Sequence, residues 1–511
     1  MIKYLVLILT LTCFSVQSQL NIHPDLIKRL DASLKPFYHG VASGDPGQNS
    51  LLIWTKLTLD KSIDQAQIKW EVATDIEFKS IVQKGVATVG VETDFVLKTE
   101  VSNLKEGRKY FYRFNHENVY SIIGEGKTLP SNPDNIQIAF GSCSNYEYGF
   151  FNAYRLMANN EEVDLFVHLG DYIYEYEAGG YGDTSMHRIN VPAHEIVSLD
   201  DYRTRYSLYR LDPDLRLAHQ KKTFITTWDD HETADNSYDG GANNHQDSLE
   251  GDWWTRKNAA TQAYFEWLPI TDNKENRLYR SFDLGGLLNL VILDTRIEGR
   301  DLQVDSMEAI NYLDSSRTIL GEEQYDWLHN ELLKENTWKI IGNQVPIGPM
   351  FFPDSIAKRK YMDGWDGYPV ERERFLNFVK DSVENMIVVT GDYHRSFAFE
   401  NDVVGTKDTL DNSSVEFVVT SISSPNDDEY YSDDLVKLYT NRRYSNNPHL
   451  KYNDNVNHGY FVLDISKNQV LASFIYVDTV KELSKKKGSE VQFLIRSGSK
   501  VLKGYKSTIQ W

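Results

Sequence analysis

Buried-strand patterns that alternate with helix-like segments fill the chain from about residue 135 onward, and this alternation constrains the fold more than any other feature. The strand-like run IQIAFGSC precedes FFNAYRLMANN, and the helix-like run ERERFLNFVKDSVEN precedes MIVVTGDYH. Short apolar runs bounded by turn residues are typical of strands that are buried on both faces. Strands that alternate with helices favour parallel pairing. Residues 135–511 are therefore predicted to form an α/β domain.

Residues 35–130 have a different pattern, in which short β-rich runs follow one another closely. SLLIWTKL, AQIKWEVAT and RKYFYRFNHE are examples, and Gly, Asn and Asp separate such runs. This spacing predicts a small all-β domain, an antiparallel sandwich of the immunoglobulin or fibronectin III type. The turn-rich stretch LPSNPDN at residues 129–135 predicts the boundary between the two domains.

The N-terminus has the order of regions that a secretory signal peptide has. Lys3 precedes an apolar run over residues 5–11, and small residues follow up to Ser18, so residues 1–18 are predicted to be removed on export. The apolar run is too short to span a bilayer, and no other stretch approaches about 20 apolar residues. We therefore expect a periplasmic or extracellular protein with no transmembrane segment. Acylation of a retained Cys13 is the alternative.

Charge and cysteine usage narrow the possible partners. The formal net charge of -20 at pH 7 argues against a nucleic-acid-binding surface, which needs clustered Lys and Arg. Once the signal peptide is removed, Cys143 is the only cysteine left, so it has no partner for an intramolecular disulfide. On these grounds Cys143 is either a buried apolar residue or a reactive thiol. The sequence contains no evident signal for a protein partner.

Chemically active side chains follow several of the predicted strands. They are Cys143 after IAFGS, Asp171 after LFVHLG, Asp229, Asp230 and His231 after FITTW, and Asp392 with His394 after IVVTG. Sites in open α/β sheets gather beyond the carboxyl ends of the strands, so these residues are predicted to converge. Carboxylates suit hard cations, whereas a thiolate favours a softer or trivalent ion, and the mixture suggests two unlike metals. Two ions about 3.5–4 Å apart are typical of phosphoester hydrolases.

An ordered set of motifs resembles the alkaline phosphatase D (PhoD-like) family from about residue 37 to residue 464. The motifs are FYHGVASGDPGQNSLLIWTKL, GSCSN, HLGDYIYEY, WDDHETADN, LDTR, GNQVP and GDYHRS. The resemblance implies a metallophosphoesterase-like four-layer sandwich, in which helices flank two mixed sheets, preceded by a small β-domain. It also implies an iron(III) ion ligated by a cysteine and a tyrosine, with calcium as the partner metal.

The resemblance assigns the iron ligands on this chain. Cys143 and Tyr174 would bind the iron, and Asp171 would bridge the two metals. Tyr174 could instead be one aromatic residue of a core-facing YIYEY run, and Asp171 could merely cap the segment that follows it.

The resemblance also assigns the second metal and the surrounding groups. Asp230 would bind the second metal with help from Asn236, although Asp230 could also be a helix cap. Asp392 and His394 would complete the metal shell or its rim. His231 would donate a hydrogen bond or a proton to the substrate.

Other polar residues have two interpretations each. Arg256 and Arg296 are candidate phosphate clamps, because guanidinium matches phosphate bidentately, but structural ion pairs are the alternative that we favour for both. Asn343 of GNQVP is either a site residue or a turn residue after a strand. His458 is only suggestive.

These features predict a secreted, metal-dependent phosphatase that hydrolyses small phosphomonoesters with a metal-bound hydroxide as nucleophile. A phosphodiesterase for lipid-like or wall-polymer diesters is the alternative within the same chemistry. A catalytically inactive secreted binding protein is the alternative of another class.

Overall fold

The computed structural model describes residues 20–273, 276–353, 360–402 and 412–507. The predicted signal peptide at residues 1–18, with Cys13, lies outside the described residues. Within the described ranges, each helix is too short or too polar to cross a bilayer.

Short strands occur along the whole described part of the chain. They are β1 (Val41–Gly44), β2 (Leu51–Lys56), β3 (Gln65–Ala73), β4 (Ile81–Gly90), β5 (Val96–Val101), β6 (Lys109–His116), β7 (Val119–Tyr120), β8 (Gly124–Lys127), β9 (Asn135–Gly141), β10 (Leu165–His168), β11 (Thr223–Thr226), β12 (Arg280–Asp283), β13 (Leu288–Ile292), β14 (Trp338–Asn343), β15 (Met386–Thr390), β16 (Ser396–Asp402), β17 (Asn412–Val418), β18 (Leu450–Asp454), β19 (Gly459–Ser466), β20 (Gln469–Val477), β21 (Lys487–Arg496) and β22 (Lys503–Ser507).

The α-helices lie between these strands. They are α1 (Asn152–Ala158), α2 (Leu199–Arg210), α3 (Pro213–Lys221), α4 (Asp247–Glu250), α5 (Trp253–Trp267), α6 (Gly321–Leu332), α7 (Pro369–Ser382), α8 (Asp427–Tyr430) and α9 (Asp433–Asn446).

One mixed sheet has the strand order β22-β21-β20-β19-β9-β10-β11-β1-β2-β5. Strands β9, β10, β11 and β1 pair in parallel, and their neighbours β19 and β2 pair with them in antiparallel fashion. Parallel strands bring their carboxyl ends to the same edge of a sheet. The turns that carry Cys143, Asp171 and Asp230 therefore lie side by side after β9, β10 and β11.

A second mixed sheet has the order β12-β13-β14-β15-β17-β16-β18. Its centre is parallel from β13 to β17, and the turn after β15 carries Asp392 and His394. A parallel β-bridge between Ser142 and Ser421 joins the loops that follow β9 and β17. The two sheets are thus linked at the edge where the predicted site residues lie.

The two sheets pack face to face, and helices cover both outer faces. Along β10 the side chains alternate, so that Val167 joins the core between the sheets with Phe417, whereas Phe166 faces the helices α1, α2, α3 and α5. Leu328 of α6 and Phe375 of α7 cover the other outer face. The predicted four-layer sandwich of two mixed sheets flanked by helices is confirmed.

The N-terminal β-domain shares strands with the large sheet. A smaller sheet of order β4-β3-β6-β7, with β8 beside β6, packs through Ile68 and Tyr112 on Leu51 and Ile53 of β2. Strand β1 in turn pairs in parallel with β11. The second layer of the predicted sandwich is therefore one end of the ten-stranded sheet. The bounds 35–130 and 135–511 remain a prediction.

Candidate metal centre

The predicted ligands lie in turns whose backbone is held in an unusual conformation. The φ angles of Cys143, Asp171, Asn236, Asp392 and His394 are between 52° and 63°. Residues other than glycine rarely adopt positive φ, at a cost of roughly 1–3 kcal/mol each, and such residues cluster at functional sites. Turns of this kind direct the side chains back across the strand ends.

Hydrogen bonds connect the turns that follow β9, β10 and β11. The backbone N–H of Cys143 donates to the Gly170 carbonyl oxygen at 3.1 Å, and that of Ser144 donates to the Asp171 carbonyl oxygen at 2.9 Å. Glu232 accepts from the backbone N–H groups of Asp171, at 3.0 Å, and of Asp229, at 2.9 Å. The loops after β9, β10 and β11 are therefore fixed relative to one another.

Three overlapping groups of possible ligand atoms form at this edge. Within each group the atoms lie no more than 4.8 Å apart. The groups are Cys143 with Asp171 and His394, Asp171 with Asp230 and His231, and Asp229 with Asp230 and Asp392. Asp171 and Asp230 each belong to two groups, as bridging ligands between neighbouring ions would.

Tyr174 lies within the first of these groups. Its hydroxyl donates to Asp171 Oδ2 at 3.0 Å and lies 3.3 Å from His394 Nε2. Ser424 Oγ donates to the same hydroxyl at 2.7 Å. The structure therefore brings together Cys143, Asp171 and Tyr174, which the resemblance assigns to iron. It places beside them His394, which was predicted for the metal shell or its rim.

The His394 ring is oriented to ligate through Nε2. Its Nδ1 lies 3.1 Å from the Pro425 carbonyl oxygen, which can only accept, so Nδ1 carries the hydrogen. Burial, together with the Arg395 charge, lowers the pKa of His394 to about 3. The imidazole is thus neutral, and its Nε2 lone pair faces the cluster.

The electrostatics of the cluster fit bound cations. Burial raises the pKa of the Cys143 thiol and of the Asp171 and Asp392 carboxyls well above their usual ranges, and nearby carboxylates add to the effect. Buried oxygens of Asp171 (Oδ1) and Asp229 (Oδ2) receive no hydrogen bond from the described residues. A cation would stabilise the ionised ligands and provide a partner for these oxygens. The donor set therefore suits a mixed metal centre.

Arg296 offsets part of the acidic charge. Its guanidinium pairs with Asp229, with Asp363 at 2.6 Å and with Asp392 at 3.2 Å, and its side chain is fully buried. Arg300 also pairs with Asp363, at 2.6 Å. The donors of Arg296 are thus committed to carboxylates, in line with the ion-pair alternative for this residue.

His231 lies beside the cluster as a cation. Its Nδ1 is 2.7 Å from Glu175 Oε2, and its ring lies 4.3 Å from that of Tyr174, measured between centroids. Burial alone would lower the pKa of His231, but the charges of Asp230 and Glu175 outweigh it and hold this pKa well above its ordinary value. A protonated imidazole in this place can donate to a substrate oxygen.

Asn236 contacts the acidic residues from the following loop. Its backbone N–H donates to Asp230 Oδ2 at 2.6 Å. With the amide nitrogen facing Asp363, the side chain donates to Asp363 Oδ2 at 2.9 Å and accepts from Asn243 at 3.0 Å. These contacts place Asn236 beside Asp230, which belongs to two of the groups of possible ligand atoms. The role of Asn236 as a ligand remains a prediction.

Asn343 lies at the end of β14, next to the strand that leads to Asp392. Its side-chain nitrogen donates to the Val345 carbonyl oxygen and, at 3.4 Å, to Thr390 Oγ1. Its side-chain oxygen is buried and receives no hydrogen bond from the described residues. These contacts support the turn, and a direct role in the site remains a prediction.

Arg256 lies on α5, where its guanidinium holds the loop before that helix. It pairs with Glu195 at 2.7 Å and donates to the Asn244 carbonyl oxygen at 2.8 Å. The Asn244 side chain donates to Glu175 at 3.0 Å, so Arg256 supports His231 through two intermediates. The role of Arg256 as a phosphate clamp remains a prediction.

His458 is buried, with Nδ1 2.9 Å from Ser421 Oγ.

Several residues of the site were not predicted from the sequence. Glu175 and Glu232 stand inside the motifs HLGDYIYEY and WDDHETADN, so a search of those motifs for further carboxylates could have found them. Asp363 and Tyr361, whose hydroxyl donates to Asp392 Oδ2 at 2.7 Å, follow no strand pattern. No signal in the sequence points to the latter two.

Comparisons with known proteins show which family the chain resembles. Residues 138–474 match the family described as PhoD-like phosphatase, and residues 25–130 match its N-terminal domain. Alkaline phosphatase D of Bacillus subtilis (strain 168) is 34% identical over 499 residues, which cover 93% of this chain and 83% of that protein. A solved structure described as "Structure of PhoD" superposes with a TM-score of 0.82 and 32% identity, and the match covers 94% of each chain.

Proposed function

Because the chain belongs to the PhoD-like phosphatase family and is thus a phosphoric ester hydrolase, we propose that it is an exported, metal-dependent phosphatase that prefers phosphomonoesters. The convergence of the ligand groups on Asp171 is the observation that supports metal dependence most directly. Export rests on the signal-peptide pattern of residues 1–18.

We further propose iron(III) and calcium as the two metals. Cys143, Tyr174 and Asp171 would hold the iron, since phenol and thiol together are typical donors for a trivalent ion. Asp171 and Asp230 would hold the calcium, which prefers oxygen ligands. When bound, the two cations would neutralise charge on the phosphoryl oxygens and lower the pKa of a water molecule.

The protein's own residues would perform the remaining steps. His231, whose protonated form Glu175 stabilises, would donate to the leaving oxygen as the ester bond breaks. Glu175 would keep the His231 ring in the donating orientation through the 2.7 Å hydrogen bond. Arg296 would hold Asp229 and Asp392 in place without contacting the substrate.

Replacement of the shared carboxylate tests the proposed function. Asp171→Asn should lower kcat on 4-nitrophenyl phosphate by about 100-fold or more, because it removes a charge that two of the three ligand groups share. Elemental analysis of the same preparations should show less bound metal. Asp272→Asn, at a side chain that is 72% exposed, is the matched control and should leave both quantities unchanged.

Unchanged turnover in Asp171→Asn would contradict the metal-dependent mechanism. Comparison of 4-nitrophenyl phosphate with bis(4-nitrophenyl) phosphate decides between the monoesterase and the diesterase. A larger kcat/KM for the diester than for the monoester would show that the protein is primarily a phosphodiesterase.

A further inference from the structure

An aromatic cavity opens next to the metal centre. It has a volume of about 490 Å³, and Asp392 and His394 form part of its wall. Tyr393, Tyr431 and Tyr439 are among its other lining residues. A phosphate ester bound at the cluster must place the rest of the molecule in space that is continuous with the cluster, and this cavity is such a space.

Apart from Asp392, which pairs with Arg296 at the cluster, the charged residues of the cavity wall are two arginines and one aspartate. Arg395 Nε donates to Asp427 Oδ1 at 2.8 Å, and Arg443 donates to Asp427 Oδ2 at 2.7 Å. Asp427 is fully buried, and one carboxylate balances only one of the two guanidinium groups. An uncompensated guanidinium in a partly desolvated wall favours an anionic ligand.

Arg443 also has an unused donor. The residue is only 4% exposed, and its buried Nε finds no acceptor among the described residues. A buried N–H group of a charged side chain without a partner is costly, so the Arg443 guanidinium has donor capacity that Asp427 does not satisfy.

A second cavity beside the cluster has no arginine or lysine among its described lining residues. It is lined by Asn236 and Gln303, and its charged lining residues are Asp305 and Asp363. An anionic part of a substrate would be repelled there and attracted by Arg395 and Arg443. The two cavities therefore differ in the leaving groups that they accept.

We propose that the Arg443 cavity is a leaving-group subsite, and that it selects phosphate esters whose organic part carries a second anionic group. The tyrosine walls would contact the carbon skeleton, and Arg443 with Arg395 would bind the anion. This inference rests on the proposed phosphatase function and adds the class of substrate to it.

A pair of esters that have nearly the same shape and differ in charge tests the subsite. The ratio of their kcat/KM values is compared between variants, because the two phenols also differ as leaving groups. 4-Carboxyphenyl phosphate and 4-carbamoylphenyl phosphate are this pair, and kcat/KM is measured for both. The protein should prefer the carboxylate by about 10-fold or more, and Arg443→Met should abolish this preference. The ratio of the two kcat/KM values is the readout, because a general loss of folded or active protein lowers both values and leaves their ratio unchanged.

Two further variants complete the design. Arg442→Met removes the same charge from the neighbouring position of α9, which does not line the cavity, and should retain the preference. Arg443→Lys keeps the positive charge but has fewer hydrogen-bond donors. This variant should therefore retain part of the preference for the carboxylate ester. A protein that does not discriminate between the esters, or an Arg443→Met variant that still does, would overturn the subsite. No turnover of either ester would overturn the proposed function itself.

Discussion

Arg296 shows at the scale of a single residue how the site manages its charge. One guanidinium faces Asp229, Asp230, Asp363 and Asp392, and all of these side chains are at most 10% exposed. One positive charge cannot balance several buried carboxylates. Burial first, and then repulsion from the neighbouring carboxylates, raises the pKa of Asp392 and, to about 7, that of Asp229. The cluster is therefore built for additional cations.

Cys143 allows the proposed iron to be tested at the same scale. Thiolate and phenolate bound to iron(III) absorb visible light, so the purified protein should be coloured. Cys143→Ser should remove most of this absorption and lower the iron content, because a hydroxyl is a much weaker ligand than a thiolate. Absorption spectra and elemental analysis of the same samples provide the measurement.

Ser142→Ala is the matched control for the cysteine variant. Ser142 is equally buried, and its Oγ lies 3.3 Å from the Cys143 sulfur, so the substitution changes the surroundings of the thiol but retains it. Its colour should persist. A colourless, iron-free and fully active wild-type preparation would remove Cys143 from the metal centre.

The turn that follows β10 decides the geometry of the site at the scale of an element. Gly170 adopts φ +105°, and a Cβ atom there would lie 2.3 Å from the backbone nitrogen of Asp229. The loops after β10 and β11 approach so closely only because position 170 has no side chain. This approach places Asp171 next to Asp230.

Gly170→Ala should separate the two loops. We expect overpacking to lower the free energy of unfolding by about 1–3 kcal/mol. The unfavourable φ angle of an alanine at this position should lower it by a similar further amount, about 1–3 kcal/mol. Turnover should fall at least 10-fold, since a misplacement of about 1 Å is costly in catalysis. Urea denaturation and kcat on 4-nitrophenyl phosphate are the measurements.

Gly251→Ala separates the two contributions. Gly251 also has a positive φ, of +89°, but a Cβ atom there would meet nothing within 4 Å. This variant should show only the conformational cost and retain its turnover. Equal effects of the two substitutions would show that the contact with Asp229 is unimportant.

The molecule as a whole is held together by a sheet that crosses the predicted domain boundary. Strand β1 pairs with β11 and extends the ten-stranded sheet into residues 41–101. Trp54 of β2 is fully buried, donates to the Glu266 carbonyl oxygen at 2.9 Å and packs against Trp267 of α5. The N-terminal strands thus complete the core beneath the helices.

Removal of the N-terminal strands should therefore disrupt the rest of the protein. A chain that begins at residue 135 would expose the β11 edge and the apolar surface around Trp267, and we expect it to aggregate. Size-exclusion chromatography and circular dichroism compare it with a chain that begins at residue 20. A monomeric, cooperatively folded fragment would show instead that residues 135–511 form an independent domain.

Much of the fold and of the candidate site could be predicted because the relevant signals are local. Apolar runs and their spacing predicted the α/β class, and polar residues after strands predicted that Cys143, Asp171, Asp230 and Asp392 would converge. The ordered motifs identified the family and, through it, the four-layer sandwich. Each of these signals lies within a short segment, where the periodicity of buried positions or the chemistry of one turn is sufficient.

Other features depended on contacts between distant segments. Asp363 pairs with Arg296 and Arg300 across more than 60 positions of the chain, and Asp427, the first residue of α8, holds Arg395 and Arg443 across 32 and 16 positions. The pairing of β1 with β11 likewise joins segments about 180 positions apart. Loop residues without periodic patterns carry no sequence signal for such contacts.

The amino-acid sequence by itself determined the class of fold, the family and the set of residues that can hold metal. Only the tertiary structure decided which carboxylates share a group of possible ligand atoms and that Arg296 is committed to ion pairs. It also decided that Arg395 and Arg443 line one adjacent cavity, whereas no arginine or lysine is among the described lining residues of the other. The physical reason is that ligand geometry and local potential depend on distances between side chains from different strands and loops. Those distances exist only once the two sheets have packed against each other.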